Sequence, residues 1–318
     1  MLEQFKADVD EGLSSQPKFL SSKYFYDKLG DDLFVQIMNL PEYYLTRAEM
    51  DIFQNQTDAL IEAIHVKTDT NFELIELGAG DGTKTKKLLS RLLEKGYAFE
   101  YFPIDISQNA LNQLEDSLKR EMPQLNVNPQ QGDYFNVLSS LKPNQKPKVI
   151  LFLGSNIGNM IDERASAFIY QLGENVHTGD KLVLGVDLIK SEEIVLPAYN
   201  DASGVTRAFN LNILKRINDQ LGANFILEQF DHAPEYSEET GIAKSYIMSL
   251  ADQVVHIESL DTSYDFKAGE KIQTEISRKY NDDILANILK LTDFKIIEKL
   301  SDRNGYFADY IIEKQFSE

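Results

Sequence analysis

The chain contains no cysteine and only four histidines, His65, His177, His232 and His256, scattered through 318 residues. Disulfides and thiolate chemistry are thereby excluded, and a Cys/His zinc site lacks the ligands it would need, so no metal is expected. Long apolar runs are missing too. No stretch approaches the roughly 20 residues that cross a bilayer, and the N-terminus, M-L-E-Q-F-K-A-D-V-D-E, has neither the basic nor the apolar region of a signal peptide. A cytoplasmic protein in a reducing compartment is expected. Positive charge is scarce: 32 Lys and Arg stand against 51 Asp and Glu, a formal net charge of -19. Such a surface repels phosphate backbones and anionic lipid heads. The charge argues against nucleic acid and membrane partners, and a monomer is expected. Repeats and low-complexity tracts are absent, and the length suits one α/β domain plus a smaller second unit.

What is present is organised around Leu74–Thr85, L-I-E-L-G-A-G-D-G-T-K-T. An apolar run ends in glycines at every second position, and a helical pattern follows from about Lys84. Residues 1–60 read as helices and turns without a strand. Thr46 with Glu49 three residues on reads as a capping box for a helix to about His65. From about residue 72, strands and helices alternate: Glu73–Leu77, Tyr101–Ile106, a short strand near Asn126–Gln130, Val149–Leu153 and 181–189, which predicts a parallel sheet with helices on both faces. Between Ser191 and about Tyr280 the pattern changes to a helix, Thr206–Leu221, and antiparallel strands at Lys244–Ser249, Gln253–Ile257 and Lys271–Tyr280. That insertion is too long for a loop and reads as a second domain. Phe294–Lys299 and Tyr306–Glu313 then close the sheet as a hairpin with an antiparallel edge. The expected division is 53–190 with 281–318 as one domain, and 1–52 with 191–280 as the other.

Four loops carry chemistry. The glycine turn is G-x-G-x-G, preceded by Glu76; Thr83 stands where a dinucleotide fingerprint needs glycine, and a phosphate-loop spacing fails as well. This disfavours a nicotinamide dehydrogenase, and an acid beside the ligand suits a cationic cofactor rather than a pyrophosphate. A purely structural glycine turn between strand and helix is the competing reading. In F-P-I-D-I-S, Asp105 ends the second strand, where a carboxylate can accept from both hydroxyls of a ribose; a turn or cap role is its alternative. Ser107 reads as the cap of the next helix. In Q-G-D-Y, Asp133 could accept from an exocyclic amine and Tyr134 could stack on a base. The strand V-I-L-F-L runs into G-S-N-I-G-N, where Gly154 and Gly158 permit backbone approach and Asn159 offers a donor and an acceptor. Asn156 reads as a helix cap. A D-P-P-Y-like loop, suited to methylating base amines, is absent.

In this order the elements resemble the class I S-adenosylmethionine-dependent methyltransferases. Closer similarity lies outside that core. K-Y-F-Y-D-K-L-G-D-D-L-F, L-P-E-Y-Y-L-T-R, F-L-G-S-N-I-G-N, L-P-A-Y-N-D-A-S-G-V-T-R-A-F-N-L-N and F-K-A-G-E-K-I-Q-T-E-I-S-R-K-Y are similar to the histidine-specific methyltransferases, which make the Nα-trimethylated histidine betaine on the way to ergothioneine. The resemblance covers nearly the whole chain. It implies an α/β, Rossmann-like, mostly parallel sheet with an antiparallel last strand, and a smaller α+β substrate domain. S-adenosylmethionine would be held by Tyr26, Glu76, Gly78, Gly80, Lys84, Asp105, Asp133 and Tyr134.

For histidine, the resemblance places Tyr43, Asn159 and Tyr199, with Gly154, around the carboxylate and amine, and Glu275 with Ser277 on the imidazole. Tyr26 would close over both ligands, and Tyr26 and Asn159 would be the catalytic pair. From pattern alone, Tyr43 and Tyr199 read as half-buried packing residues, and Glu275 and Ser277 as the outer face of a strand. One departure stands out: where the family shows an I-E-M-like strand lining the substrate pocket, this chain has I-A-K-S-Y, with Lys244 and Ser245 in place of the acid and methionine. The implied reaction is displacement at the sulfonium methyl by the α-amine, helped mainly by positioning and water exclusion. The amine is expected to lose its proton to solvent or a nearby tyrosine. The alternatives are the same chemistry on another amino acid or small amine, and a cofactor-binding protein without turnover.

Overall fold

The computed structural model describes residues 2–316. Four helices open the chain: α1 (Leu2–Ser14), α2 (Lys28–Met38), α3 (Leu45–Asn55) and α4 (Thr57–Ala63). α2 begins at Lys28 because the Asp27 side chain accepts from the Gly30 N–H and caps it there. The capping box expected at Thr46 does not form. α3 has already begun at Leu45, and Glu49 is only 1% exposed, turned inward instead of reaching back to Thr46.

Strands and helices then alternate: β1 (Phe72–Leu77), α5 (Thr85–Glu94), β2 (Phe99–Asp105), α6 (Gln108–Glu121), β3 (Asn126–Val127), β4 (Gln130–Gln131), α7 (Tyr134–Leu141), β5 (Lys148–Phe152), α8 (Asp162–Gly173) and β6 (Lys181–Asp187). The insertion holds α9 (Glu192–Tyr199), α10 (Val205–Leu221), β7 (Phe230–His232), β8 (Glu235–Ser237), β9 (Ile242–Ser249), β10 (Gln253–Ile257), β11 (Thr262–Phe266) and β12 (Lys271–Arg278). α11 (Asp282–Leu289), β13 (Phe294–Ser301) and β14 (Phe307–Lys314) complete the fold.

These elements fall into two compact units, Leu45–Ile189 with Lys279–Glu318, and Met1–Tyr44 with Lys190–Arg278. α3 thus lies in the sheet unit, although the sequence reading drew the boundary after residue 52. In that unit the strand order is β13-β14-β6-β5-β1-β2-β3, with β4 also on β2. β6, β5, β1, β2, β3 and β4 run parallel, and β14 is antiparallel to both β6 and β13. Every residue of β1 and β5 is buried, as expected of parallel strands covered on both faces. Side chains such as Ile75, Phe152, Leu184 and Ile312 build its core with Phe168 and Ile169 of α8. Where the insertion leaves and rejoins the sheet, Asp187 and Lys279 form a fully buried ion pair of 2.8 Å.

The other unit has a four-stranded antiparallel sheet in the order β12-β9-β7, with β8 also paired to β9, and a separate β10-β11 hairpin. Its core joins Phe5 and Val9 of α1, Ile213 and Ile217 of α10, and Phe230, Ile247 and Ile272 of the sheet. β9 alternates strictly between half-buried and buried residues. A register shift in β12 between Gln273 and Glu275 brings Glu275 opposite Ser245 and Ser277 opposite Ala243, so these four side chains share one face. Among the described residues no helix is long and apolar enough to cross a membrane.

Candidate active site

The glycine turn occupies the carboxyl end of β1, at the centre of the sheet. Gly78, Gly80 and Gly82 all have positive φ, 74°, 54° and 64°, which L side chains rarely adopt. Their surroundings differ. A Cβ at Gly82 would lie 2.6 Å from Leu114 Cδ1 of α6, a packing constraint, whereas a Cβ at Gly80 would meet nothing within 4 Å. Gly80 therefore presents bare backbone to open space, as close approach of a ligand requires.

Asp105, at the end of β2, accepts from the Ser107 N–H at 2.9 Å, and its other oxygen lies 3.4 Å from the Gly80 nitrogen. It thus stands beside the turn. Ser107 caps α6 by accepting from the Ala110 N–H, as its position in the sequence suggests. Asp133 caps α7: its Oδ1 accepts from the Phe135 and Asn136 N–H groups at 3.0 and 3.3 Å. Tyr134 reaches back over the turn, with its hydroxyl 2.9 Å from where a Cβ on Gly78 would be and its ring 6.2 Å from Phe152. Burial, then the charges of Asp105 and Asp133, push its pKa up to about 12, so the hydroxyl stays protonated.

Glu76 has an internal role that its position in the motif does not reveal. It is 4% exposed and accepts from Thr85 Oγ1 at 2.6 Å and from the Tyr101 hydroxyl, joining β1 to the start of α5 and to β2. Burial pushes its pKa up to about 7 in spite of both donors and of Lys84. These contacts place the carboxylate inside the strand–helix joint, whereas the sequence reading set it beside the ligand.

The loop after β5 is held from several sides. Ser155 adopts a left-handed conformation, φ 57°, and its Oγ accepts from the Asp187 N–H at 3.0 Å. Asn156 donates to the Leu153 carbonyl at 2.9 Å, a local turn contact rather than a cap on α8. The Tyr280 hydroxyl donates to the Ile157 carbonyl at 3.3 Å. With its base anchored, the loop leaves Gly154 and Asn159 exposed. Lys84, just after the glycine turn, pairs with Glu49, and its ammonium lies 3.8 Å from a Cβ position on Gly154.

In the other unit, the structure gathers five further candidates. Tyr26, Phe34, Tyr43 and Phe209 form an aromatic cluster, with Phe34 5.7 Å from Tyr26 and 6.5 Å from Tyr43. Tyr26 remains 46% exposed, yet burial first, and then the charge of Glu275, raises its pKa and keeps its hydroxyl protonated. On β12, Ser277 accepts from the Tyr199 hydroxyl at 2.9 Å. Ser245, 2% exposed, is the cross-strand neighbour of Glu275, whereas Lys244 belongs to the opposite face, paired with Ile276 and Glu235. Of the two departures, only Ser245 shares the face of Glu275.

Thr85, Tyr101, Ser155 and Asp309 are not singled out by sequence reasoning, and Glu49 only as half of a capping box. One signal could have found the meeting of Glu49 and Asp309. Gly185 interrupts the buried apolar strand K-L-V-L-G-V-D, and a Cβ there would lie 2.3 Å from Glu49 Oε1 and 3.0 Å from Asp309 Oδ1. A bare glycine inside such a strand marks the close approach of another group.

The model of the family described as "Histidine-specific methyltransferase, SAM-dependent" matches residues 5–314. The chain is 35% identical over 278 residues to the histidine N-alpha-methyltransferase of Mycolicibacterium smegmatis, covering 87% of this chain and 85% of that one. It is 33% identical over 303 residues to the enzyme of the same name from Mycobacterium tuberculosis, covering 95% and 92%. The N-methyltransferase imqF of Aspergillus flavus is 25% identical over 96% of this chain and 84% of that one. With a glycine turn at the head of a mostly parallel sheet that ends in an antiparallel strand, and a family match along nearly all its length, the chain belongs to the histidine-specific, S-adenosylmethionine-dependent methyltransferases.

Proposed function

We propose that the protein methylates the α-amine of free L-histidine and carries it to the trimethylated betaine. The observation that carries this reading is the face of β12, where Glu275 and Ser277 lie together with Tyr199 bonded to the serine. A carboxylate can accept an imidazole N–H, and a hydroxyl can serve the other ring nitrogen. Within the same unit, the tyrosine hydroxyls of Tyr43 and Tyr199 would take the amino-acid carboxylate.

The sheet unit's residues suit S-adenosylmethionine. Gly80 offers backbone in open space, Asp105 a carboxylate for ribose hydroxyls, Lys84 a cation for the carboxylate, and Tyr134 a protonated hydroxyl over Gly78. When bound, the cofactor supplies an electrophilic methyl group on a sulfonium. The protein's own task is to present a neutral, dehydrated, aligned amine. Because Tyr26 is held as a neutral phenol, it serves as a hydrogen-bond donor that orients the amino acid. The ammonium proton then leaves to solvent, and each further methylation requires the amine to turn within the pocket.

Incubation with S-adenosylmethionine and a mixture of free amino acids, followed by mass spectrometry, tests the reading: one to three methyl groups should accumulate on histidine alone. Glu275→Ala should raise the histidine KM by about 10–100-fold, the effect of losing a charged hydrogen bond, and leave cofactor affinity intact. Unchanged histidine affinity by calorimetry would refute the assignment. Ser245 beside Glu275 favours a second reading, in which the space left by the smaller side chain admits another amino acid or small amine. The same mixture distinguishes the two.

A further inference from the structure

Lys84 belongs to a charged cluster within the sheet unit whose two acids, Glu49 and Asp309, have no part in the reaction above. Glu49 of α3 is 1% exposed; its Oε1 accepts from the Gly154 N–H at 2.8 Å and its Oε2 from Lys84 Nζ. Asp309 of β14 is fully buried, and neither of its oxygens has a hydrogen-bond partner among the described residues. Both carboxylates converge over Gly185, the register partner of Asp309 on β6, in the space a Cβ would fill. Two acids and one ammonium in a dry site are balanced only if one acid holds a proton. Asp309, facing Glu49 and Lys84, is that acid: burial and then the charge of Glu49 raise its pKa far above the usual range.

Lys84 depends on this arrangement. Burial alone would pull its pKa down, but the charge and hydrogen bond of Glu49 outweigh that and raise it. The Glu49 carboxylate therefore keeps a half-buried ammonium charged beside Gly154, and the same carboxylate grips the loop after β5.

We propose that Glu49 is a positioning residue for cofactor binding: it holds the Lys84 ammonium and the Gly154 amide as one unit, ready to receive the carboxylate of S-adenosylmethionine. The proposal rests on Lys84 being the cation that meets that carboxylate. Glu49 never touches the cofactor and acts through Lys84.

The test compares two probes by calorimetry on the full chain: S-adenosylhomocysteine, which carries the carboxylate, and 5′-methylthioadenosine, which does not. Glu49→Gln should weaken S-adenosylhomocysteine about tenfold or more at neutral pH, while methylthioadenosine stays within about twofold. In a Lys84→Met background, Glu49→Gln should add nothing. Equal weakening of both probes, or additive losses, would reduce Glu49 to a structural role, and an unchanged S-adenosylhomocysteine affinity would overturn the proposal. If Lys84→Met alone has no effect, the reading of Lys84 fails instead. Glu49→Asp, which keeps the charge but shortens its reach, serves if Glu49→Gln does not fold: S-adenosylhomocysteine should weaken more than methylthioadenosine, and equal effects refute the idea.

Discussion

In the proposed reaction the glycine turn and the β12 face would recognise their ligands by different means. At the turn, recognition is mostly backbone: a glycine in open space, with Asp105 and Tyr134 brought in from the next strand end and helix start. In the unit of β12 it would be side chains, Glu275 and Ser277 of the strand with Tyr26, Tyr43 and Tyr199, drawn from segments far apart in the chain. A backbone site needs only a local conformation. A side-chain site needs packing and strand register to be right first, and it is correspondingly easier to retune.

The contrast can be broken at either end. The largest effect is expected at Asp105, whose carboxylate stands between the turn and the end of β2. Asp105→Ala should weaken S-adenosylhomocysteine by about 30–100-fold, two to three kcal/mol, as measured by calorimetry, without changing the melting temperature by more than a few degrees. A loss below about threefold would remove Asp105 from the cofactor site.

Next comes Glu76, which tests whether the turn has a structural support separate from its ligand contacts. Its pKa rises from 4.5 to about 7 on folding, so its stabilising contribution is complete below pH 4.5 and is lost as pH rises through about 7. Glu76→Gln should flatten that decline, worth about 2–3 kcal/mol at roughly 1.4 kcal/mol per pH unit, in denaturant titrations between pH 5 and pH 8. Parallel curves for the two proteins would show that Thr85 and Tyr101 already stabilise the ionised form. The smallest effect belongs to Tyr199→Phe. Losing one neutral hydrogen bond to Ser277 should weaken histidine about fivefold, near 1 kcal/mol, and leave S-adenosylhomocysteine unchanged; a change in cofactor affinity would blur the comparison.

The alternation of strands and helices from Phe72 to Asp187 was legible because each element carries its own period and ends in its own turn signal. Ser107 as a cap is legible for the same local reason. Glu49 shows where local rules stop. Three residues after Thr46, it has the spacing of a capping box, but a half-buried ammonium and a loop amide outcompete the helix end for its oxygens. Asp133 likewise caps a helix, its Oδ1 accepting from the Phe135 and Asn136 N–H groups, a contact that Q-G-D-Y does not announce.

The apolar periodicity and the glycine spacing were enough by themselves to determine an α/β sheet with a ligand turn at the end of its first strand, because these depend on neighbours in the chain. Only the tertiary structure decided the register shift between Gln273 and Glu275, which sets Glu275 opposite Ser245 and turns Lys244 to the other face. It alone also placed Glu49 and Asp309 over Gly185. Strand register and the meeting of buried charges are settled by contacts between residues distant in sequence, and a slip of one residue moves a side chain to the opposite face.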